Sequence, residues 1–141
     1  MITGLQVVLR LIIGAVLGGL VGFEREKHNK KIAAGFRTHI LVCVGSTLIM
    51  LTSLYIFDMY GSRVPVDPAR IAAGVVTGVG FLGAGTIIRS SKSVVGLTTA
   101  ASLWTVSGIG LAVGCGFYTA GFVATIIVLA ALYILRKIPV E

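Results

Sequence analysis

Glu24, Glu26 and His28 fall together at the end of an apolar run, and two carboxylates with an imidazole form a donor set able to ligand a divalent cation. Magnesium prefers oxygen and keeps several of its waters, so this grouping leaves the identity of any metal open. The same residues also read as an ordinary charged interfacial helix, with Glu24 bridging to His28 or to Arg25, Lys27 and Arg37. Arg10 lies inside the apolar run, where a central charge costs about 2.5–3.5 kcal/mol even on a lenient insertion scale, so it must face a neighbouring helix or a wet cleft. Asp67-Pro68-Ala69-Arg70 reads as a helix start, with Asp67 as N-cap and Pro68 at the first helical position, where its missing N–H costs nothing. Arg70 would pair with Asp67, or with Glu24 or Asp58 if the fold brings them together. Thr98, Ser102 and Thr105 follow at i, i+4 and i+7, with Thr99 and Ser107 nearby. Such a hydroxyl stripe bonds its own helix carbonyls, joins helices, or forms a polar track for an ion or water. No nucleophile has a base at suitable spacing, so an enzyme is the weakest reading, and no cofactor is called for.

What positions these side chains is a bilayer. The chain has 141 residues, 56% hydrophobic and only 12% charged, with a mean hydropathy of +1.01. Its 19 glycines sit among Val, Ile, Leu and Ala with no triplet period and three prolines, which excludes collagen-like and low-complexity chains. A bilayer core about 30 Å thick needs roughly 20 apolar helical residues. Five stretches approach this: residues 5–23, 39–57, 71–88, 94–115 and 119–135. The expected fold is therefore an all-α, polytopic membrane domain of five helices occupying residues 1–141.

The net charge of +7 would suggest nucleic acid in a soluble protein, but its placement argues against such a partner. Arg25, Lys27, Lys30, Lys31 and Arg37, then Arg89 and Lys92, then Arg136 and Lys137, all flank apolar runs on what would be one side; Arg63 and Arg70 fall on the other. By the positive-inside rule the N-terminus is outside and the C-terminus cytoplasmic. The first segment lacks a positive n-region and an A-x-A site and is followed by GFEREKHNKK, so it reads as a retained anchor rather than a cleaved signal. Cys43 and Cys115 lie in apolar segments near opposite faces and should remain unpaired.

Helices in lipid associate through close backbone approach and interhelical hydrogen bonds. Gly14, Gly18 and Gly22 recur every four residues on one face, with Arg10 one step further along the same stripe. Gly74 and Gly78 repeat the spacing after Arg70, and Gly80, Gly83 and Gly85 follow in GVGFLGAG. So many glycines weaken a helix by up to about 1 kcal/mol each, which implies either very tight packing or a broken helix lining a cavity. Residues 78–83 also match G-x-G-x-x-G, but a dinucleotide site needs a βαβ unit that a membrane span cannot supply. Trp104, in mid-span, should turn its indole N–H to an internal partner.

GLVGFERE, AAGFRTHILVCVGS, DPARIAAGVVTGVGFLGAGTIIR and VGLTTAASLWTVSGIGLAVGCG resemble the successive signatures of the MgtC/SapB family of bacterial membrane proteins, in order and over nearly the whole chain. The resemblance implies a multi-pass protein of the bacterial cytoplasmic membrane. In better studied members the family is associated with growth under magnesium limitation and with virulence. Some members are thought to bind and restrain other membrane proteins, including the rotary ATP synthase. Glu24, Arg25, Arg37, Thr38, Asp67, Arg70 and the GFLGAG glycines are the family-signature positions, and the resemblance assigns none of them a chemistry. The chain stops after Glu141, so it resembles the short, membrane-only type, without the C-terminal cytoplasmic domain of longer members. The expected function is intramembrane association, as a homo-oligomer and on a larger membrane partner; the alternative is a cation (magnesium or proton) transporter or channel with Arg10, Glu24, Asp67, Arg70 and the hydroxyl stripe along its path.

Overall fold

The computed structural model describes residues 2–28, 34–89, 91 and 93–134, with no description of the side chain of His28. Five helices run α1 (Gly4–His28), α2 (Phe36–Tyr60), α3 (Pro68–Ala84), α4 (Leu97–Cys115) and α5 (Tyr118–Ile134). Among the described residues three helices, α1, α2 and α4, are long and apolar enough to cross a membrane, with mean hydropathies of 2.1, 2.2 and 1.3. The apolar α3 and α5 have 17 residues each, roughly 26 Å of helix against the roughly 30 Å of a bilayer core. Leu135, where the fifth run was expected to end, and the cations at 30, 31, 92, 136 and 137 lie outside the described residues.

The helices are as expected in number, and the bounds of the third and fourth runs are corrected between α3 and α4. The third helix stops at Ala84 rather than Ile88 and the fourth starts at Leu97 rather than Val94; between them β1 (Ile88–Arg89) pairs antiparallel with β2 (Val94–Val95). The β-branched residues Thr86, Ile87, Ile88, Val94 and Val95 favour extended backbone there. Gly96 then takes φ +94° as the residue before α4, and a Cβ on it would overlap the carbonyl of Thr86. Only glycine fits that turn.

One helix start follows local chemistry and another does not. Asp67 accepts a hydrogen bond from the Ala69 N–H at 2.8 Å and Pro68 occupies the first turn of α3. The residue before α2 is Gly35, which has no capping side chain; Glu26 reaches across from α1, its Oε2 accepting from the Phe36 N–H at 2.8 Å. A carboxylate at a helix N-terminus is electrostatically favourable as well.

Helix α2 is clasped between α1 and α4 at near-backbone distance. A Cβ at Gly14 would lie 2.6 Å from Thr47 Oγ1, one at Gly18 2.6 Å from Cys43 Cβ, and one at Gly22 2.8 Å from Phe36 Cα. On the other side a Cβ at Gly114 would lie 2.6 Å from Met50 Cβ, and one at Gly110 would overlap the Cys43 carbonyl. Leu17, Val21, Cys43, Val106, Ile109 and Val113 fill the core between these helices. Helix α3 lies outside this clasp, burying Val75 and Val79 with Ala34 and Leu103 in a second, smaller core.

Candidate functional site

The polar interior forms two tied ends and a joint between them. At the end where α1 begins, Arg10 donates from Nη1 to the Gly114 carbonyl at 2.7 Å and from Nε to Tyr118 Oη at 3.2 Å, and its guanidinium lies 6.0 Å from the Tyr118 ring. These contacts place a cation at the C-terminus of α4, where the helix dipole favours one. Gly116 turns the chain there at φ +88°, with its N–H directed to Ala112 and Val113, and a Cβ on it would come within 3.0 Å of Arg10 Nη2. Arg10 therefore pins α4 and α5 to α1.

Fifteen residues along α1, roughly 22 Å of helix, Arg25 donates from Nη2 to Thr99 Oγ1 at 2.7 Å. Beside it the fully buried His39 sets Nδ1 2.8 Å from the Gly35 carbonyl and Nε2 2.9 Å from Ser102 Oγ, and that hydroxyl lies 2.8 Å from the Thr99 carbonyl. Arg25, His39, Thr99 and Ser102 thus join α1, α2 and α4 in one contiguous network. Arg25 Nε is buried and has no hydrogen-bond partner. Between the two ends Thr47 Oγ1, fully buried, lies 2.9 Å from the Cys43 carbonyl and 3.0 Å from the Gly110 carbonyl, joining α2 to α4 at mid-span.

The expected polar cluster does not converge. Arg10 and Arg25 occupy opposite ends of α1, Asp67 caps α3, and Arg70 and Arg37 are exposed. Glu24 is partly buried and engaged in an interaction of its own. Thr38, also partly buried, lines a groove between α2 and α3. Glu26 Oε2 caps α2, the His28 side chain of the candidate metal grouping lies outside the described residues, and among the described residues no three His, Cys, Asp or Glu side chains group as a metal site.

The hydroxyl stripe divides as well. Ser102 is buried in the network, Thr105 bonds back to the Ala101 carbonyl at 2.9 Å, and Thr98 is exposed, its place inside taken by Thr99. Trp104 faces outward, 54% exposed, instead of turning to an internal partner. The third-helix glycines also depart from expectation: α3 runs unbroken through Gly74, Gly78, Gly80 and Gly83, yet a Cβ at Gly74, Gly78 or Gly80 would meet nothing within 4 Å. A Cβ at Gly83 would lie 3.4 Å from Ala100 Cβ, and Gly85 ends the helix, its N–H donating to the Phe81 carbonyl at 3.1 Å. His39, Thr47, Gly110 and Gly114 were not singled out in the sequence, although the two glycines carry the same spacing of four that marks α1.

The sequence pattern of the MgtC family matches residues 11–140. The chain is 42% identical over 135 residues to an Escherichia coli K12 protein named "Putative magnesium transporter YhiD", covering 94% of this chain and 62% of that protein. It is 39% identical to Protein SapB of Bacillus subtilis, covering 94% and 60%, and 42% identical to Protein MgtC of Salmonella typhimurium, covering 92% and 52%. The chain thus spans between half and two thirds of the length of these relatives. No solved structure matches it.

Proposed function

Because the chain belongs to the MgtC family, we propose that it is a multi-pass protein of the bacterial cytoplasmic membrane that acts without catalysis, by associating within the bilayer with copies of itself and with a larger membrane partner. The observation that carries this reading is the outer face of α3. Gly74 and Gly78, four residues apart on one face, leave backbone open on a helix whose buried side chains are Val75 and Val79 alone, while Gly14, Gly18 and Gly22 of α1 and Gly110 and Gly114 of α4 are spent inside the fold. With Gly45 of α2, Gly74 and Gly78 border an apolar groove of about 680 Å³. Exposed helix backbone in lipid is the surface on which helices approach most closely. A role under magnesium limitation or in virulence is part of the same proposal, and the name of the Escherichia coli relative supports its magnesium side.

Cysteine crosslinking in native membranes tests it. With Cys115→Ser removing the exposed thiol and Cys43 buried, Gly78→Cys should form a covalent dimer or capture a larger membrane protein under mild oxidation. A strictly monomeric protein in mild detergent that also captures nothing in membranes would refute association. Cation transport draws its support from the name of the Escherichia coli relative. Magnesium or proton flux into reconstituted liposomes that Glu24→Ala or Asp67→Ala abolishes would establish it in place of association.

A further inference from the structure

The network at the far end of α1 has an unusual proton inventory. A neutral His39 with its proton on Nδ1 donates to the Gly35 carbonyl and accepts at Nε2 from the Ser102 hydroxyl. A doubly protonated ring keeps the Gly35 bond and donates from Nε2 to Ser102 Oγ, whose own proton then turns to the Thr99 carbonyl 2.8 Å away. Both protonation states are therefore satisfied with every heavy atom in place, and the Ser102 hydroxyl needs only to rotate. What separates the two states is charge.

Among the described residues the charged groups at this end come from α1 and α2, with the exposed Arg89 of β1 in the hairpin before α4. Lys27 lies over the Phe23 ring at 6.0 Å, Glu26 is held on the Phe36 N–H, and Glu24 is engaged in an interaction of its own. Arg25 reaches into the network, through Thr99. From α2, Arg37 is exposed. Helix α4 brings Thr99 and Ser102 and has no charged side chain, and α3 carries only Arg70, at its opposite end. A proton on His39 thus places a second positive charge beside Arg25, whose bonded partner is the neutral Thr99 hydroxyl and whose Nε is already unpartnered.

We infer that His39 is a proton-operated latch: the neutral ring lets Arg25 tie α1 to α4 through Thr99, and protonation expels the guanidinium and frees that end of α1 from α4. The device is separate from the α3 face and does not depend on association. Such a latch would couple proton load to the packing of the bundle end.

Spin labels on Lys27→Cys and Ala101→Cys, in a Cys115→Ser background and mild detergent, read the α1–α4 distance directly. At about pH 7.5 the distribution should be narrow, and at about pH 5 it should broaden to match Thr99→Val at the higher pH. His39→Gln, which keeps a hydrogen-bonding side chain that does not titrate, should stay narrow at both. Should His39→Gln not fold, Arg25→Met replaces it: the released distribution is then expected at both pH values. A wild-type distribution indifferent to pH, or a pH response that persists in His39→Gln or in Arg25→Met, overturns the latch.

Discussion

Gly18 and Gly78 are both glycines in apolar helices, and the same substitution should move them in opposite directions. A methyl at Gly18 would press within 2.6 Å of Cys43 Cβ and 2.8 Å of the His39 carbonyl, so Gly18→Ala should destabilise the bundle by about 1–3 kcal/mol, as overpacking does. At Gly78 the methyl meets open space, and Gly78→Ala should leave stability unchanged or raise it by up to about 1 kcal/mol through helix propensity. Thermal unfolding of the two variants in one detergent compares them directly. Arg10→Met should cost about 1.5–3 kcal/mol in the same assay, because it strips a charged donor from the Gly114 carbonyl and from Tyr118. Spacing made the α1 stripe legible, since residues four apart must share a face. It could not show whether a neighbour stands opposite that face, which is why Gly74 and Gly78 look the same in sequence and pack nothing. His39 escaped notice for a related reason: a histidine near a charged interface looks solvated until α1 and α4 close over it.

At the scale of elements, the start of α3 was readable and the connection between α3 and α4 was not. Asp67-Pro68 names its own role, and Asp67→Ala should cost about 1 kcal/mol, measured by chemical or thermal unfolding, without breaking the other helices. The hairpin residues Ile88 and Val94 are as apolar as the helices on either side, so hydropathy alone merges them into longer spans. What separates them is backbone preference and one left-handed glycine. Gly96→Ala should therefore unseat the hairpin and the start of α4, losing more than the roughly 1–2 kcal/mol of a left-handed alanine, because the added carbon also overlaps Thr86. The α2 start shows a different limit. Its capping group, Glu26, comes from another helix ten residues upstream, and no local signature encodes such a cap.

The whole molecule alternates direction from helix to helix, so the turn after α2 and the hairpin between α3 and α4 lie at opposite ends of the bundle. The charge pattern favours the hairpin end as cytoplasmic. In intact cells and a Cys115→Ser background, a membrane-impermeant thiol reagent should therefore label Ser62→Cys and spare Ser91→Cys, and the opposite pattern would invert the orientation. The tied ends also bear on how such a bundle is made. Arg10, Arg25, His39 and Thr47 all belong to α1 and α2, and their tertiary partners Tyr118, Gly114, Thr99, Ser102 and Gly110 all belong to α4 and α5. In the proposed multi-pass arrangement, the first two helices enter the membrane during synthesis carrying two cations and a histidine that no other helix yet accommodates. The insertion machinery must shelter them until the fourth and fifth helices leave the ribosome, so ribosome-bound chains arrested before residue 97 should remain beside that machinery, and chains extended past α5 should leave it.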